Sequence, residues 1–289
     1  MRYEGTVYRP PSEAYSLIIQ ATIGCSHNKC NFCSMYKEKN FRIRPVEEVI
    51  KDLHMARNRY KKVEKIFLAD GDALIIPMEK LRVILKAIRE IFPECERVGV
   101  YGSPKSILIK SIEDLKELRD LGIGIVYLGI ESGSDKILKE VDKGVTSQEI
   151  IVAGKKVKEC GIKLSVTLIS GLGGRENIEE HGLESALVIS QINPDYLGFL
   201  TLMIESDTKL YDKVQSGEFK LLNPQEVMEE MKIFIENVNV ENTVFRSNHA
   251  SNYVSLKGTL PLDKERILNT INSALKDSNS YKSEFLRGL

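Results

Sequence analysis

Strand-like and helix-like segments alternate along most of this chain, and that alternation limits the folds open to it. Short apolar runs rich in β-branched or aromatic residues, typical of buried strands, occupy residues 17–21, 65–69, 97–101, 125–130, 163–169 and 196–202. Between them, apolar residues recur at helical spacing over residues 46–60, 79–92, 111–121, 148–160 and 178–192. Because successive βα units favour right-handed parallel crossovers, we predict an α/β fold whose sheet curls into a partial (β/α)6 TIM-like barrel.

The pattern changes after residue 202. The segments predicted beyond it are a helix over 224–237, a short strand over 243–246, a polar loop reaching Pro261 and a helix over 263–278. The last residues, 279–289, are expected to fray. We therefore predict a core barrel with an N-terminal lead-in over residues 1–205. A small helical extension over 206–289 is predicted to close the barrel and to contribute to its substrate side.

Three cysteines, Cys25, Cys30 and Cys33, follow the first predicted strand. Their Cys-x4-Cys-x2-Cys spacing favours a loop with three thiolates on one face, and thiolates suit iron–sulfur clusters or zinc. Structural zinc and electron-transfer sites normally close with four protein ligands, so three cysteines predict an iron left open to a small molecule. Cys95 and Cys160 stand alone in the sequence and are expected in buried apolar surroundings.

The charge pattern argues against some classes of function. Lys plus Arg and Asp plus Glu both total 41, so the formal net charge is zero. No basic stripe supports binding to nucleic acid. No apolar run approaches the roughly 20 residues that span a bilayer, and no secretion signal is evident, so a cytoplasmic location without membrane contact is predicted. In that reducing compartment, clustered cysteines favour metal ligation over disulfides.

Polar and glycine-rich motifs follow the predicted strands, and in such barrels chemistry collects where strands end. Asp70-Gly71-Asp72 follows the second strand, where the glycine lets a ligand approach the backbone and the acids can accept from an ammonium group. An ordinary Asp-Gly turn is the alternative. The fourth strand runs into Gly129-Ile130-Glu131-Ser132-Gly133, and the fifth ends in Ser170-Gly171-Leu172-Gly173-Gly174.

Together these motifs resemble the radical S-adenosylmethionine (SAM) enzymes over roughly residues 14–205, which is about the length of that family's core barrel. The motifs are most similar to those of the coproporphyrinogen-oxidase-like and methylthiotransferase branches. The resemblance implies a 4Fe-4S cluster held by Cys25, Cys30 and Cys33, with SAM chelated by the fourth iron. It also implies reductive cleavage of SAM to a 5′-deoxyadenosyl radical that abstracts hydrogen from a substrate. The family's usual spacing is Cys-x3-Cys-x2-Cys, so the first interval here is one residue longer.

The same resemblance implies which residues bind SAM: Phe32, Asp70, Gly71, Asp72, Glu131, Ser132, Lys143 and Gly171. Phe32 is the aromatic residue that the family usually carries before its last cysteine. Lys143, twelve positions after Glu131, would pair with the carboxylate of SAM, and its alternative role is a solvated lysine at a helix end. Gly171 would lie against the adenine.

A polar cluster follows the short strand near residue 245. Arg246, Asn248 and His249 offer an anion clamp and a proton donor, so they are candidate substrate residues. A hydrogen-bonded loop that closes the barrel is an equally weighted alternative. By contrast, His181 falls in a predicted helix and is expected to be structural.

Two functions from different classes remain open on the sequence. The first is a radical SAM enzyme that acts on a small molecule or a side chain and takes electrons from a flavodoxin- or ferredoxin-type donor. The second is a zinc-stabilised barrel with a binding or scaffold role, in which His27 or His249 completes a Cys3His site. Iron with acid-labile sulfide would indicate the first function, and stoichiometric zinc without sulfide the second.

Overall fold

The computed structural model describes residues 2–288, except for the side chain of Ser278, and its contacts divide into two compact units. Unit 1 runs up to Asn28 and includes Met35–Leu128 and Lys156–Leu164. Unit 2 comprises Lys29–Ser34, Gly129–Lys155 and the chain from Ser165 onward. The domain boundary expected at residue 205 stays a prediction.

The strands form a mostly parallel sheet. They are β1 (Leu17–Gln20), β2 (Thr22–Ile23), β3 (Arg42–Ile43), β4 (Lys65–Ala69), β5 (Arg97–Gly102), β6 (Ile123–Glu131), β7 (Lys163–Ser170), β8 (Tyr196–Thr201), β9 (Thr243–Ser247) and β10 (Leu256–Leu260). The main sheet has the order β1-β4-β5-β6-β7-β8-β9-β10, and β2 pairs with β3. Pairing is parallel for β1–β4, β4–β5, β5–β6, β7–β8 and β8–β9 and antiparallel for β9–β10. The α/β class predicted from the sequence is confirmed.

The helices are α1 (Val46–Arg59), α2 (Met78–Ile91), α3 (Pro104–Leu108), α4 (Ile112–Asp120), α5 (Asp135–Glu140), α6 (Ser147–Glu159), α7 (Ile178–Ile192), α8 (Lys209–Gln215), α9 (Pro224–Asn237) and α10 (Lys264–Lys276). Seven of these helices lie where the apolar spacing predicts them, whereas the short helices α3, α5 and α8 were not predicted. Local sequence fixes several ends. The Asn223 side chain accepts a hydrogen bond from the Glu226 amide and caps α9, with Pro224 in its first turn. Asn193 ends α7 in the left-handed conformation.

Unit 1 has an apolar core around its parallel strands. All four residues of β1 are buried, as expected for a strand covered on both faces. Phe67 packs edge to face against Tyr101 and Tyr127. Near this core the buried Glu13 carboxylate accepts hydrogen bonds from Ser16 and Tyr127 and pairs with Arg97 at 2.5 Å. Unit 1 therefore contains a buried, fully engaged carboxylate.

Unit 2 has its own apolar cluster, which contains Ile137, Val141, Leu172, Leu202 and Leu210. Helices α7 and α9 pack against each other. At Gly182 an added Cβ would lie only 2.8 Å from the Ile233 side chain, so this close approach requires glycine.

The structure corrects two expectations for the C-terminal part. The segment expected as a polar loop before Pro261 contains β10, which pairs with β9 through the register Leu256↔Ser247 to Leu260↔Thr243. Only the two end leucines of β10 are buried, so the strand depends on pairing rather than on an apolar pattern. The expected fraying is wrong for residues 279–288, because the Arg287 side chain is only 5% exposed and donates to the backbone of Leu202. Residue 289 lies outside the described residues. No helix within residues 2–288 has the length and apolar character to cross a membrane.

Candidate cofactor and substrate site

The cysteine loop is anchored on the protein at both of its ends. Cys25 belongs to unit 1, whereas Cys30 and Cys33 belong to unit 2, and all three are half-buried. In unit 2, Asn31, which directly follows Cys30, is buried. Its amide donates to the Val141 carbonyl at 3.0 Å and its side chain to the Glu140 carbonyl at 2.7 Å, at the end of α5. Phe32 packs on the apolar cluster of unit 2. Asn31 is thus an anchor that sequence reasoning missed.

In unit 1 the Asp70 carboxylate ties together the segments that flank the first cysteine. Its Oδ2 accepts from Gln20 Nε2 at 2.9 Å, the Gly24 amide at 3.1 Å and Lys39 Nζ at 2.8 Å. Its Oδ1 is buried and has no hydrogen-bond partner within residues 2–288. A buried acceptor without a donor fits a cationic ligand group such as an ammonium.

The glycine and second acid of this motif are held by the protein itself. A Cβ at Gly71 would lie 2.8 Å from the Tyr36 ring and 3.1 Å from the Cys25 Cβ, so only glycine fits beside this cysteine. Asp72 Oδ2 accepts from Ser26 Oγ at 2.6 Å and from Ser103 Oγ at 2.8 Å, and its Oδ1 accepts from the Ser103 amide at 3.2 Å. Asp72 therefore anchors the residue after Cys25, and its SAM role stays a prediction.

At the end of β6 the structure brings together two of the predicted SAM residues. Glu131 Oε1 lies 2.9 Å from Lys143 Nζ, and the two side chains are 14% and 13% exposed. Glu131 has a φ of 68°, a left-handed value that is costly for a residue with a side chain and persists only where the surroundings hold it. Ser132 is fully buried and accepts from the Ser134 amide at 3.1 Å. Lys143 is thus an ion-pair partner rather than a solvated helix-end lysine.

At the end of β7 a buried acid, Glu230 of α9, holds the backbone near the third glycine motif. Its Oε1 accepts from Ser170 Oγ at 2.7 Å and from the Gly171 amide at 3.0 Å. Its Oε2 lies 3.0 Å from His181 Nδ1 of α7. Sequence reasoning missed Glu230. The signal was its position on α9, because helical spacing places this acid on the same apolar face as Val227, Met231 and Phe234.

Burial is the largest influence on His181, and it favours the neutral ring. The charge of Glu230 and the backbone of Glu131 act in the opposite direction, so the pKa of His181 is raised. Neither contact has the alignment of a strong hydrogen bond, so the attraction between His181 and Glu230 is mainly electrostatic.

The three candidate substrate residues lie at and just after the end of β9. Arg246 is exposed, and its Nη1 donates to the carbonyls of Phe245 at 2.8 Å and Gly258 at 3.2 Å. Asn248 is also exposed. His249 is half-buried and contacts Ser251 Oγ at 3.0 Å, and burial together with the charge of Lys282 lowers its pKa.

A cavity of about 520 Å³ opens in unit 2 at the ends of β7 and β8. Residues that line it include Gly171, Thr201, Leu202, Tyr253 and Arg287, whereas none of the candidate substrate residues does so. Arg287 stacks on Tyr253 with the guanidinium carbon 4.1 Å from the ring centre. One of the predicted SAM residues, Gly171, thus lines the cavity. The substrate roles of Arg246, Asn248 and His249 stay predictions.

Metal ligation also stays a prediction from the sequence. Within residues 2–288 no three His, Cys, Asp or Glu side chains are gathered as a preformed metal site. Two features beside Cys25 bear on the predicted SAM and cluster. Asp70 Oδ1 has no hydrogen-bond donor within residues 2–288, and Gly71 packs closely against Cys25. These two features fit a cationic ligand group beside this cysteine.

Comparison with known proteins assigns this chain to a family. The family model described as the Radical SAM superfamily matches residues 19–183, which is more than half of the chain. The matched region contains the cysteine loop, Asp70-Gly71-Asp72, Glu131, Lys143 and Gly171.

The chain is similar to the heme chaperone HemW of Buchnera aphidicola subsp. Acyrthosiphon pisum, with 24% identity over 195 residues, 64% of this chain and 50% of that protein. It is also similar to a putative methylthiotransferase of Methanocaldococcus jannaschii, with 24% identity over 230 residues, 73% of this chain and 50% of that protein. The chain spans about half the length of these curated relatives. An uncharacterized protein of the same archaeon is 23% identical over 274 residues, 91% of this chain and 84% of that protein.

Solved structures with the same fold include the Escherichia coli coproporphyrinogen III oxidase HemN, a radical SAM enzyme. It gives a TM-score of 0.57 at 16% identity and covers 76% of this chain and 51% of HemN. Methylornithine synthase PylB gives a TM-score of 0.52 at 15% identity, over 78% of this chain and 63% of PylB. These likenesses confirm the predicted TIM-like partial barrel.

Proposed function

Because this chain belongs to the radical SAM superfamily, we propose that it is an enzyme that binds SAM at a 4Fe-4S cluster and uses it to abstract hydrogen from a substrate. The observation that carries the proposal is the extent of the family match, which includes all three clustered cysteines and three strand-end motifs. A zinc-stabilised scaffold is not favoured, because the cysteines lie within this matched region. When bound, the cluster and SAM would supply reductive cleavage to a 5′-deoxyadenosyl radical.

The polar side chains of the site divide between the cluster and SAM. Cys25, Cys30 and Cys33 would hold the cluster, and Asp70 Oδ1 would accept from the SAM ammonium, since it is a buried acceptor that lacks a donor. Lys143 would contact the SAM carboxylate, and Glu131 would bind SAM while it keeps Lys143 oriented through their 2.9 Å contact.

The remaining assignments of the SAM site concern shape and backbone. Phe32 would fix the loop beside the last cysteine, because it packs on the apolar cluster of unit 2. Gly71, Asp72 and Ser132 would shape the approach to the cofactor. Gly171 would present its backbone to the adenine at the rim of the cavity.

Substrate and partners are proposed in broader terms. The zero net charge is ill suited to a grip on a phosphate backbone, so we favour a small molecule or a side chain of a protein. Porphyrin-like substrates and methylthiolation are suggested only by the names of HemN and the putative methylthiotransferase. A flavodoxin- or ferredoxin-type protein in the cytoplasm would supply the electron.

Anaerobic reconstitution tests the reaction class. With iron, sulfide, SAM and dithionite, the full chain is expected to yield 5′-deoxyadenosine and methionine in equal amounts, measured by mass spectrometry. Iron and acid-labile sulfide should be present in matching amounts. Stoichiometric zinc without sulfide, and no 5′-deoxyadenosine, would contradict the proposal and favour the scaffold.

Replacing Arg246 by alanine tests the substrate assignment. The guanidinium is exposed and bonds to backbone carbonyls, so its loss leaves no buried charge unpaired. We expect the variant to form 5′-deoxyadenosine with dithionite at the normal rate but to give little product from the true substrate. A matched control is Lys257→Ala, which removes the exposed cation directly opposite on β10. Loss of the cluster or of SAM binding in Arg246→Ala would show that the loop is structural.

A further inference from the structure

A buried pair on two neighbouring helices reaches two strand ends that carry predicted SAM residues. We propose that His181 and Glu230 are positioning residues that hold the backbone of Glu131 and the backbone of Gly171 in a fixed relation. All four residues belong to unit 2. The inference rests on the proposed function only where it assigns Glu131 and Gly171 to SAM.

The contacts of Glu230 carry the first half of this inference. Both carboxylate oxygens face inward, and the side chain is only 2% exposed. Oε1 receives Ser170 Oγ and the Gly171 amide, so the carboxylate fixes the residue at which β7 ends and the one that follows. Gly171 has a φ of 82°, and its amide donates to Glu230 Oε1. The Glu230 carboxylate therefore helps to set the direction of this backbone.

The contacts of α7 carry the second half. The His181 ring approaches the backbone of Glu131, and Ser185, one turn further along α7, accepts from the Gly133 amide at 3.0 Å. Helix α7 thus contacts the backbone on both sides of Ser132. Because Glu131 has a left-handed φ, its conformation depends on such support. The 3.0 Å contact between His181 Nδ1 and Glu230 Oε2 connects the support at Gly171 with the support at Glu131.

Charge makes this link dependent on pH. The charged groups that act on His181 are Glu230 on α9 and Glu180 on α7, and the backbone of Glu131 at the end of β6 acts in the same direction. Their combined effect raises the pKa of His181 despite its burial. A raised folded-state pKa means that the stabilisation is fully present below the ordinary value of about 6.5 and is lost as pH rises through the folded-state pKa. The pair should therefore support the two strand ends most strongly below about pH 6.5 and lose this support as the pH rises.

The experiment uses the reconstituted full chain and the variants His181→Gln and Glu230→Gln. Glutamine at 230 keeps an oxygen that can accept from the Gly171 amide but loses the charge. Two quantities are measured from pH 6 to 9: SAM affinity by anaerobic calorimetry, and amide hydrogen exchange in peptides that cover residues 129–133 and 169–174. The control is Glu13→Gln, which neutralises another buried carboxylate with several donors but touches no predicted site residue.

We expect each variant to accelerate exchange at both strand ends, including the end that the altered residue does not contact. SAM affinity at the lower end of this pH range should fall about tenfold, because the backbone of Glu131 and Gly171 is no longer held in the geometry that binds SAM. The affinity of the unaltered protein should decline as the pH rises across this range, whereas that of His181→Gln should stay constant. Glu13→Gln should lower thermal stability and leave both readouts unchanged.

Other results would overturn the inference. Exchange that changes only at the strand end next to the altered residue would disprove the link, and an unchanged SAM affinity would disprove the positioning role. If the variants fail to fold, the unaltered protein decides: after correction for intrinsic rates, both peptides must gain exchange together as pH rises. If the unaltered protein binds no SAM, the proposed function fails, whereas the exchange measurements still test the link.

Discussion

Cys30→Ala is expected to lose the iron–sulfur cluster and, with it, all SAM binding. Only three cysteines are available in the loop, and a cluster that keeps one iron open for a small molecule has no spare protein ligand. The Asn31 anchor is expected to keep the loop folded in the variant, because its bonds go to the backbone of residues 140 and 141 and involve no cysteine sulfur. The measurements are iron and sulfide content, visible absorption after anaerobic reconstitution, and SAM binding by calorimetry.

Cys95→Ala and Cys160→Ala are the matched controls for this prediction. The thiols of both residues approach backbone carbonyls, Cys95 Sγ that of Arg97 at 3.5 Å and Cys160 Sγ that of Ile112 at 3.6 Å. Burial raises the pKa of each thiol and so disfavours the thiolate that would bind iron. Both controls should keep the full cluster. A full-intensity 4Fe-4S spectrum in Cys30→Ala would remove this residue from the ligand set.

Much of the fold was predictable because its strands and helices carry strong local patterns. The segments 65–69 and 178–192 are found as predicted, as β4 and α7, since one is a continuous apolar run and the other has helical spacing up to its cap. By contrast, β10 has few apolar residues and forms only because β9 lies beside it. The C-terminal residues look polar in sequence, yet Arg287 is held by carbonyls of distant residues.

The candidate site was predictable where a motif carries the chemistry within a short stretch. Glu131 and Lys143 are twelve residues apart, and the structure pairs them. The roles of Asp70 and Glu230 as anchors were not predictable from the sequence. Gly24, a partner of Asp70, is 46 residues away, and Gly171, a partner of Glu230, is 59 residues away, so these contacts form only through tertiary packing. His181 was expected to be structural, and its contacts at the end of β6 depend on how α7 packs. The family resemblance is confirmed by the family model, whereas the residue roles stay predictions.

Lys143→Ala is expected to leave the cluster intact and to weaken SAM binding by about 1.5–3 kcal/mol, which is roughly 10- to 150-fold in Kd. This is the range for one hydrogen bond to a charged group, and Lys143 is largely buried, so solvent screens the contact little. Anaerobic calorimetry with the reconstituted protein measures the change. Lys139→Ala is the control, because Lys139 is an exposed cation on the neighbouring helix α5 and its loss should not alter SAM affinity.

The 2.9 Å contact between Lys143 and Glu131 raises a second route by which this variant could act. If Lys143 served only to orient Glu131, its removal would have no further effect in a Glu131→Gln background. If it contacts the SAM carboxylate directly, Lys143→Ala should weaken SAM binding in that background as well, because the ligand contact is lost whether or not Glu131 carries a charge. We expect the second result. Equal SAM affinities of Glu131→Gln and the double variant would assign Lys143 to Glu131 alone, and an unchanged affinity in the single variant would remove it from the site.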